Sequence, residues 1–301
     1  VAHSSYDRAL NAPNAGVCES PLRWAGGKRR LLPLLRSILP HHVDRIVEPF
    51  FGGGSVSFGL SSVRAHGTDS NADLVNFYDQ CKINPLGIID GLRPLADDSQ
   101  TYQRIRSEEP TTGLGRAIRF TYLNRTAYFG LYRTNQQGLF NVPYGGGGRL
   151  RLDTLEAGLL RLSKVLDRVT VECNDYLTLL SNVESSDVVF IDPPYGTKGD
   201  FPFRRYGSLV FTHADHRRLG VEANRCRSLG ATVILTLPGD GDVLDAYAGW
   251  SVIGERTRGG KIVELCIASA PLRASHLKSG GWQTVSGELP IYRGSLSATG
   301  T

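Results

Sequence analysis

The chain has 301 residues, 41% hydrophobic and 21% charged, with a formal net charge of +5 and a pI near 9.0. That length supplies a core for one large domain or two modest ones, and no apolar run approaches the about 18 residues needed to span a bilayer. Five scattered cysteines without a CxxC pair argue against a disulfide framework or a structural zinc site, and favour a reducing cytoplasm.

The opening "VAHSSYDRALNAPNAG" has no apolar stretch behind its arginine and does not read as a signal peptide. In "PLRWAGGKRRLLPLL", Trp24, two glycines and Lys28 lead into an amphipathic helix. Trp and Lys together suit a ligand with a flat or cationic group and a carboxylate; a core Trp and a solvated Lys are the plainer alternative. Next, "VEPFFGGGSVSF" reads as a strand ending at Glu48, three glycines and a helix start. Such glycines let a backbone approach a ligand closely, although a tight strand–helix turn needs them equally. The GxGxxG spacing of a dinucleotide loop is absent, and "AGGKRR" lacks the spacing and hydroxyl of a P-loop. A second strand, "RAHGTDSN", ends at Asp69, where an acid can hold ribose hydroxyls.

From Phe77 to Lys164 the strand–helix rhythm stops. Helical patterns ("TYQRIRSEE", "LGRAIRFTYLNRTAYFGLY") precede a hairpin pattern, "YRTNQQGLFNVPYGG", turning at Gly138, and Gly145–Gly148 reads as a flexible tip. The alternation resumes with "VTVECND", "VVFIDPPY", the helix "ADHRRLGVEANRCRSLG", "ATVILTLPGD" and "VELCIAS". This pattern predicts a mostly parallel sheet with helices on both faces, its ligands at the carboxyl ends of the strands. The last 25 or so residues read as peripheral. His213 and His216 have metal-like spacing but no third ligand nearby, and are expected at the surface. Paired arginines such as Arg204–Arg205 and Arg217–Arg218 suit a polyanionic partner, or are solvated helix faces.

"DPPY" is the sharpest signal. Each proline fixes its own φ and gives up an N–H, and the residue before it is held out of the helical region. Asp192, Pro193, Pro194 and Tyr195 therefore offer a carboxylate, an aimed carbonyl and a stacking face. That combination fits the exocyclic amine of a nucleobase; a bland proline turn is the alternative.

The ordered set "WAGGK", "EPFFGGG", "TDSNADLVNFY", "YLNRTAYFGLYRTNQQGLFNVPYG" and "FIDPPY" resembles the Dam-type, alpha-group DNA adenine-N6 methyltransferases, from about Pro21 to Ser269. The resemblance implies an α/β fold: a Rossmann-like, mixed and mostly parallel seven-stranded S-adenosylmethionine-dependent methyltransferase sheet with an inserted helical and hairpin target-recognition domain. The corresponding division is a catalytic part over 1–76, recognition over 77–164 and catalytic again over 165–301. It implies S-adenosylmethionine as cofactor and no metal. Trp24, Ala25, Gly26 and Lys28 would line the methionine end of the cofactor pocket. Glu48, Phe50, Gly52 and Gly54 would lie beneath the cofactor, with Asp69 at the ribose and Asp175 with Tyr176 at the adenine ring. Asp192 borders both cofactor and target.

On the DNA side the resemblance carries over Tyr128, Phe129 and Leu131 as wedge residues and Arg133 as a guanine reader, with Asn141 and Pro143 on the hairpin. Asn124 and Arg125 belong to the same region, in a structural or phosphate-facing role. Two positions depart from the family pattern and bear on the sequence read: Phe129 stands where Asn is usual, and "VPYGGGG" lacks a basic residue that some relatives have. A third departure, in "ILTLPGD", replaces the Ser or Asn that often follows this strand and alters the far wall of the base pocket. "FRRY", Phe203 to Tyr206, resembles an aromatic pair that covers a flipped base. The expected activity is N6 methylation of an adenine swung out of double-stranded DNA. The protein is expected to be a monomer without a membrane partner, in the cytoplasm at the nucleoid, beside a cognate restriction endonuclease in a restriction–modification setting. Cytosine, RNA or another amine as substrate, or a non-catalytic DNA-binding relic, are the competing readings.

Overall fold

The computed structural model describes residues 18–39, 43–60, 63–135, 137–194, 211–238, 243–258, 261–269, 278–279 and 282–288. The run after Lys28 forms a 3-10 turn, Arg29–Leu31, and helix α1, Leu32–Ile38. Pro33 is tolerated because the first helical N–H groups have no intrahelical acceptor to lose. There follow β1 (Arg45–Glu48), α2 (Ser55–Gly59), β2 (Arg64–Asp69) and α3 (Ala72–Ile83). The helical stretch continues with α4 (Pro85–Leu92), α5 (Ser99–Ser107), α6 (Gly113–Thr126) and α7 (Leu152–Leu166). Strand and helix then alternate through β3 (Val169–Cys173), α8 (Tyr176–Ser181), β4 (Asp187–Ile191), α9 (His213–Ser228) and β5 (Thr232–Pro238). The last strands are β6 (Ser251–Arg258), β7 (Lys261–Ala268), β8 (Lys278–Ser279) and β9 (Trp282–Glu288).

Among the described residues these strands form one sheet in the order β3-β2-β1-β4-β5-β7-β6-β9-β8. The first five run parallel and the rest are joined in antiparallel pairs. The chain winds outward from β1 through β2 to β3, then returns to place β4 on the other side of β1. The carboxyl ends of β1 and β4 therefore flank a topological switch point, where open α/β sheets bind ligands.

Both faces are covered, which explains why "VVFI" is apolar at every position. Val188 and Phe190 point into one core with Leu34, Phe77 and Phe120. Val189 and Ile191 point into the other with Leu219, Tyr247 and Trp250. A strand buried on both faces cannot alternate with polar residues.

The mixed α/β sheet agrees with the expectation, and β8 and β9 extend it beyond seven strands. The tail is not all peripheral: β9 pairs with β6, and Trp282 is buried in the first core. The expected recognition limits, Phe77 and Lys164, fall inside α3 and α7, both of which also pack against β3. The expected hairpin consists of isolated bridges, Thr134 to Phe140 and Ala127 to Tyr144, closed at Gly138 with φ 80°. The expected flexible tip is anchored at its flanks by Asp97, which accepts from the Tyr144 hydroxyl and from the Arg149 and Leu150 amides. His216 is a core residue rather than a surface one. It lies against Phe211, its Nδ1 is 3.3 Å from the Tyr247 hydroxyl, and burial depresses its pKa to about 4. His213 is exposed.

Candidate active site

Four carboxylates mark the carboxyl ends of the parallel strands: Glu48 on β1, Asp69 on β2, Asp175 after β3 and Asp192 after β4. Each is held differently. Asp69 Oδ2 accepts from the Gly52 amide at 2.9 Å and Oδ1 from the Asn71 amide at 2.9 Å, so the acid fastens the glycine loop. Burial raises its pKa against those two bonds. Asp175 caps α8 by accepting from the Leu177 amide at 2.8 Å. Glu48 is buried; its Oε2 accepts from the Ser57 hydroxyl at 2.6 Å and the Ser57 amide at 3.2 Å. Burial pushes its pKa up to about 8. It therefore braces α2 through Ser57.

The glycine loop rests on aromatic rings. At Gly54, φ is 62° and a Cβ would approach Phe58 to 2.4 Å and Phe51 to 2.8 Å, so only glycine fits. A Cβ at Gly52 would come within 3.0 Å of the Trp24 indole, and Tyr78 donates to the Gly52 carbonyl at 2.8 Å. Trp24 stacks on Tyr132, whose hydroxyl donates to Asp73 at 2.8 Å. Ala25 and Gly26 are exposed beside this loop, and Gly26 has open space where a Cβ would sit. On the other side Phe50 stacks on Tyr176 with centroids 5.0 Å apart, and the buried Tyr176 Oη has no hydrogen-bond partner among the described residues.

Asp192 lies at the switch point, half-buried. Its Oδ2 is 2.6 Å from Lys28 Nζ, and its Oδ1 accepts from the Thr236 hydroxyl at 2.6 Å. Burial raises the Asp192 pKa, while Lys28 and Thr236 pull it back. Lys28 is buried, not solvated: Nζ also donates to the Gly26 carbonyl at 2.7 Å and sits 3.2 Å from Glu264 Oε1. Burial opposes its charge, but Asp192 and Glu264 outweigh that and its pKa rises. Pro193 is buried and Pro194 half-buried, whereas Tyr195 and Phe203 to Tyr206 lie outside the described residues.

Sequence reasoning missed Thr236 and Glu264. Strand register was the missing information: Ile191 lies beside Leu235 on β5, which brings the next residues, Asp192 and Thr236, level. β7 reaches the site in the opposite direction, with Cys266 opposite Thr236 and Glu264 opposite Pro238.

The lobe built by α4 to α7 groups Tyr128, Phe129, Arg133, Asn141 and Pro143 of the residues expected to face DNA. Tyr128 is 45% and Phe129 73% exposed, their rings edge to face at 4.4 Å. Phe129 has φ 52°, the only positive value at a non-glycine among the described residues. Arg133 Nε donates to Asn141 Oδ1 at 2.9 Å, and the exposed Pro143 accepts from the Tyr128 amide. Leu139, which the sequence did not single out, is also exposed there. Leu131 is half-buried against the core.

Asn124 does not belong to that surface. It is fully buried, and its side chain accepts from the Arg23 amide at 2.8 Å and donates to the Arg23 carbonyl at 2.7 Å. Arg125 donates to the Pro21 carbonyl at 3.0 Å. Both pin the segment before Trp24 to α6, and a side chain spent on a buried backbone pair cannot face a duplex. Among the described residues no group of three or more His, Cys, Asp or Glu is placed to hold a metal ion, and no helix is long and apolar enough to cross a membrane.

Comparison with known proteins gives a consistent picture. Residues 24–237 match the family described as D12 class N6 adenine-specific DNA methyltransferase. The chain is 30% identical over 225 residues to the type II methyltransferase M1.LlaDCHI of Lactococcus lactis subsp. cremoris, covering 71% of this chain and 79% of that one. It is 30% identical over 239 residues to the type II methyltransferase M.MjaIII of Methanocaldococcus jannaschii, covering 71% and 82%. With the DNA adenine methylase of Salmonella typhi it shares 34% over 180 residues, covering 58% and 64%.

Proposed function

This chain belongs to the D12 class N6 adenine-specific DNA methyltransferases, and on that premise we propose that Asp192 and the Pro193 carbonyl receive the N6 amino group of an adenine swung out of double-stranded DNA. The observation that carries this reading is Asp192 itself, at the switch point and oriented by Thr236 and Lys28. The amino lone pair of adenine is delocalised into the ring and is a poor nucleophile. Two acceptors for its protons favour a pyramidal nitrogen and return the pair to it, so catalysis comes from orientation and fixed charge. The base must leave the duplex because its amino nitrogen is otherwise out of reach. Tyr195 follows Asp192 closely enough in sequence to supply the stacking face, an interaction of about 1–3 kcal/mol in comparable base–aromatic contacts.

S-adenosylmethionine supplies an activated methyl group when bound. The stacked Phe50–Tyr176 pair, the Tyr176 hydroxyl without a hydrogen-bond partner among the described residues, and the open space beside Gly26 fit such a group. Trp24, Ala25, Gly26, Phe50, Gly52, Gly54, Asp69, Asp175 and Tyr176 would hold it, with Glu48 supporting from beneath. The lobe spanning 77–164 acts as the target-recognition element: Phe129 and Tyr128 wedge into the duplex, and Arg133, braced by Asn141, reads a base. The enzyme is proposed to act as a monomer on cytoplasmic, nucleoid DNA, and the type II names of two relatives favour a setting beside a cognate endonuclease.

The test is methyl transfer from labelled S-adenosylmethionine to duplex DNA with identification of the product nucleosides. Label is expected in N6-methyladenine, and Asp192→Ala should abolish transfer while retaining cofactor binding. Label in methylcytosine, or no transfer by folded wild type, would defeat the reading; loss of cofactor affinity in Asp192→Ala would reassign that residue.

A further inference from the structure

Asp192 is the near end of a relay of charges that crosses the sheet. Lys28 Nζ is 2.6 Å from Asp192 Oδ2 and 3.2 Å from Glu264 Oε1, and it donates to the Gly26 carbonyl at 2.7 Å. An ammonium has three N–H donors, and these are three acceptors. The far oxygen of Glu264 accepts from Arg256 Nε at 2.8 Å, with Arg256 Nη2 also 2.8 Å away. Strand register builds the line: Arg256 on β6 is opposite Glu264 on β7, which is opposite Pro238 at the end of β5. Glu264 and Lys28 are both buried, and Arg256 is about one-third exposed.

A buried lysine with one carboxylate partner commits its charge to that partner. Shared between two, it commits less to each. Glu264 therefore limits how far Lys28 neutralises Asp192, and Arg256 limits the pull of Glu264. Resting on the methyltransferase reading above, we infer that Glu264 is a positioning residue that acts through Lys28 to set the orientation and basicity of Asp192. It adjusts the acceptor by holding its counter-ion.

Among the described residues, the charged and titratable groups facing Asp192 include Lys28 from the segment before α1, Glu48 from β1, and Glu264 and Cys266 from β7. Burial moves the Cys266 thiol up, and Glu48 is pushed up to about 8. Neither of these two groups changes charge in the acidic range. Removing the negative charge of Glu264 gives Lys28 wholly to Asp192, which makes Asp192 a stronger acid and a weaker acceptor. Removing Arg256 does the reverse, because an unneutralised Glu264 draws Lys28 away. Two changes in one relay thus have opposite signs, which a merely structural role does not produce.

The experiment compares wild type, Glu264→Gln and Arg256→Gln in steady-state methyl transfer to DNA from pH 5 to 9, with S-adenosylmethionine affinity measured calorimetrically. For Glu264→Gln the acidic limb of kcat should move down by about half a pH unit and the plateau kcat fall about tenfold, with cofactor affinity retained. For Arg256→Gln the limb should move up. Arg256 is part-exposed and its variant should fold even where Glu264→Gln does not, so its upward shift decides the matter alone. Limbs that coincide with wild type, or that move in the same direction, overturn the positioning role while leaving the methyltransferase reading intact. Absence of N6-methyladenine from wild-type reactions overturns both.

Discussion

Glu48 makes the stability of this protein depend on pH in a way opposite to an ordinary surface carboxylate. It is 3% exposed, and its pKa is pushed up to about 8. Burial dominates that rise, the two bonds from Ser57 oppose it, and the Asp192 charge adds to it. In the unfolded chain the same group ionises near the normal glutamate value of about 4.3. Between those values the native state holds a proton that the unfolded state has lost. Stability is therefore complete below the unfolded pKa and declines as pH rises toward 8. The slope in that window is about 1.4 kcal/mol per pH unit, so the full loss is at most about 5 kcal/mol, and the neighbouring charges of Lys28 and Asp192 will reduce it. Glu48→Gln copies the protonated form: its amide oxygen still accepts from Ser57, and its NH2 replaces the carboxyl proton. Equilibrium urea unfolding of wild type and variant from pH 5 to 9 isolates the effect. His216, whose depressed pKa acts between about 4 and 6.5 with the opposite sign, contributes equally to both proteins and cancels. The two should be similar near pH 5, with the variant gaining steadily until about pH 8. Parallel curves over the whole range would refute the buried, protonated Glu48.

The recognition tip supplies two further predictions. Phe129→Gly should raise thermal stability by about 1 kcal/mol, since a left-handed conformation costs a non-glycine residue about 1–2 kcal/mol, while weakening DNA binding in a gel-shift titration; a stability loss would show that the conformation is not strained. Arg133→Ala should relax discrimination at one base pair by about 1–3 kcal/mol, read by methylating a randomised duplex pool. A uniform loss across all sequences would mark Arg133 as a phosphate contact instead.

The parallel half of the fold was legible because its rules are local. Short β-rich runs stopping at Glu48, Asp69, Asp175 and Asp192 declared strands with polar ends, and glycines fixed the loop after β1. The missed parts depend on partners distant in sequence. "SVIGERTR" mixes Gly254, Glu255 and Arg256 into a strand, and its burial comes from β7 and β9 on either side. For Asn124 the sequence left a structural and a phosphate-facing role open, and α6 turns it inward onto Arg23, 101 residues away in sequence. His216 was expected outside because its metal-like spacing lacked a third ligand; the helical period places it on the face that meets Phe211 and Tyr247.

The same distinction explains how the site divides its labour. Asp192 and its prolines form one contiguous motif, because a backbone held by prolines can be specified in four letters. The environment of Asp192 cannot. Thr236 reaches it by parallel register, Lys28 from a segment 164 residues earlier in the numbering, and Glu264 by an antiparallel strand entering from the opposite direction. An acceptor for a neutral amine needs its charge offset but not cancelled. In a buried site only groups from several elements can adjust that offset independently. The mixed sheet brings them together: parallel strands deliver their carboxyl ends to the switch point, and the antiparallel β7 passes Glu264 beneath them.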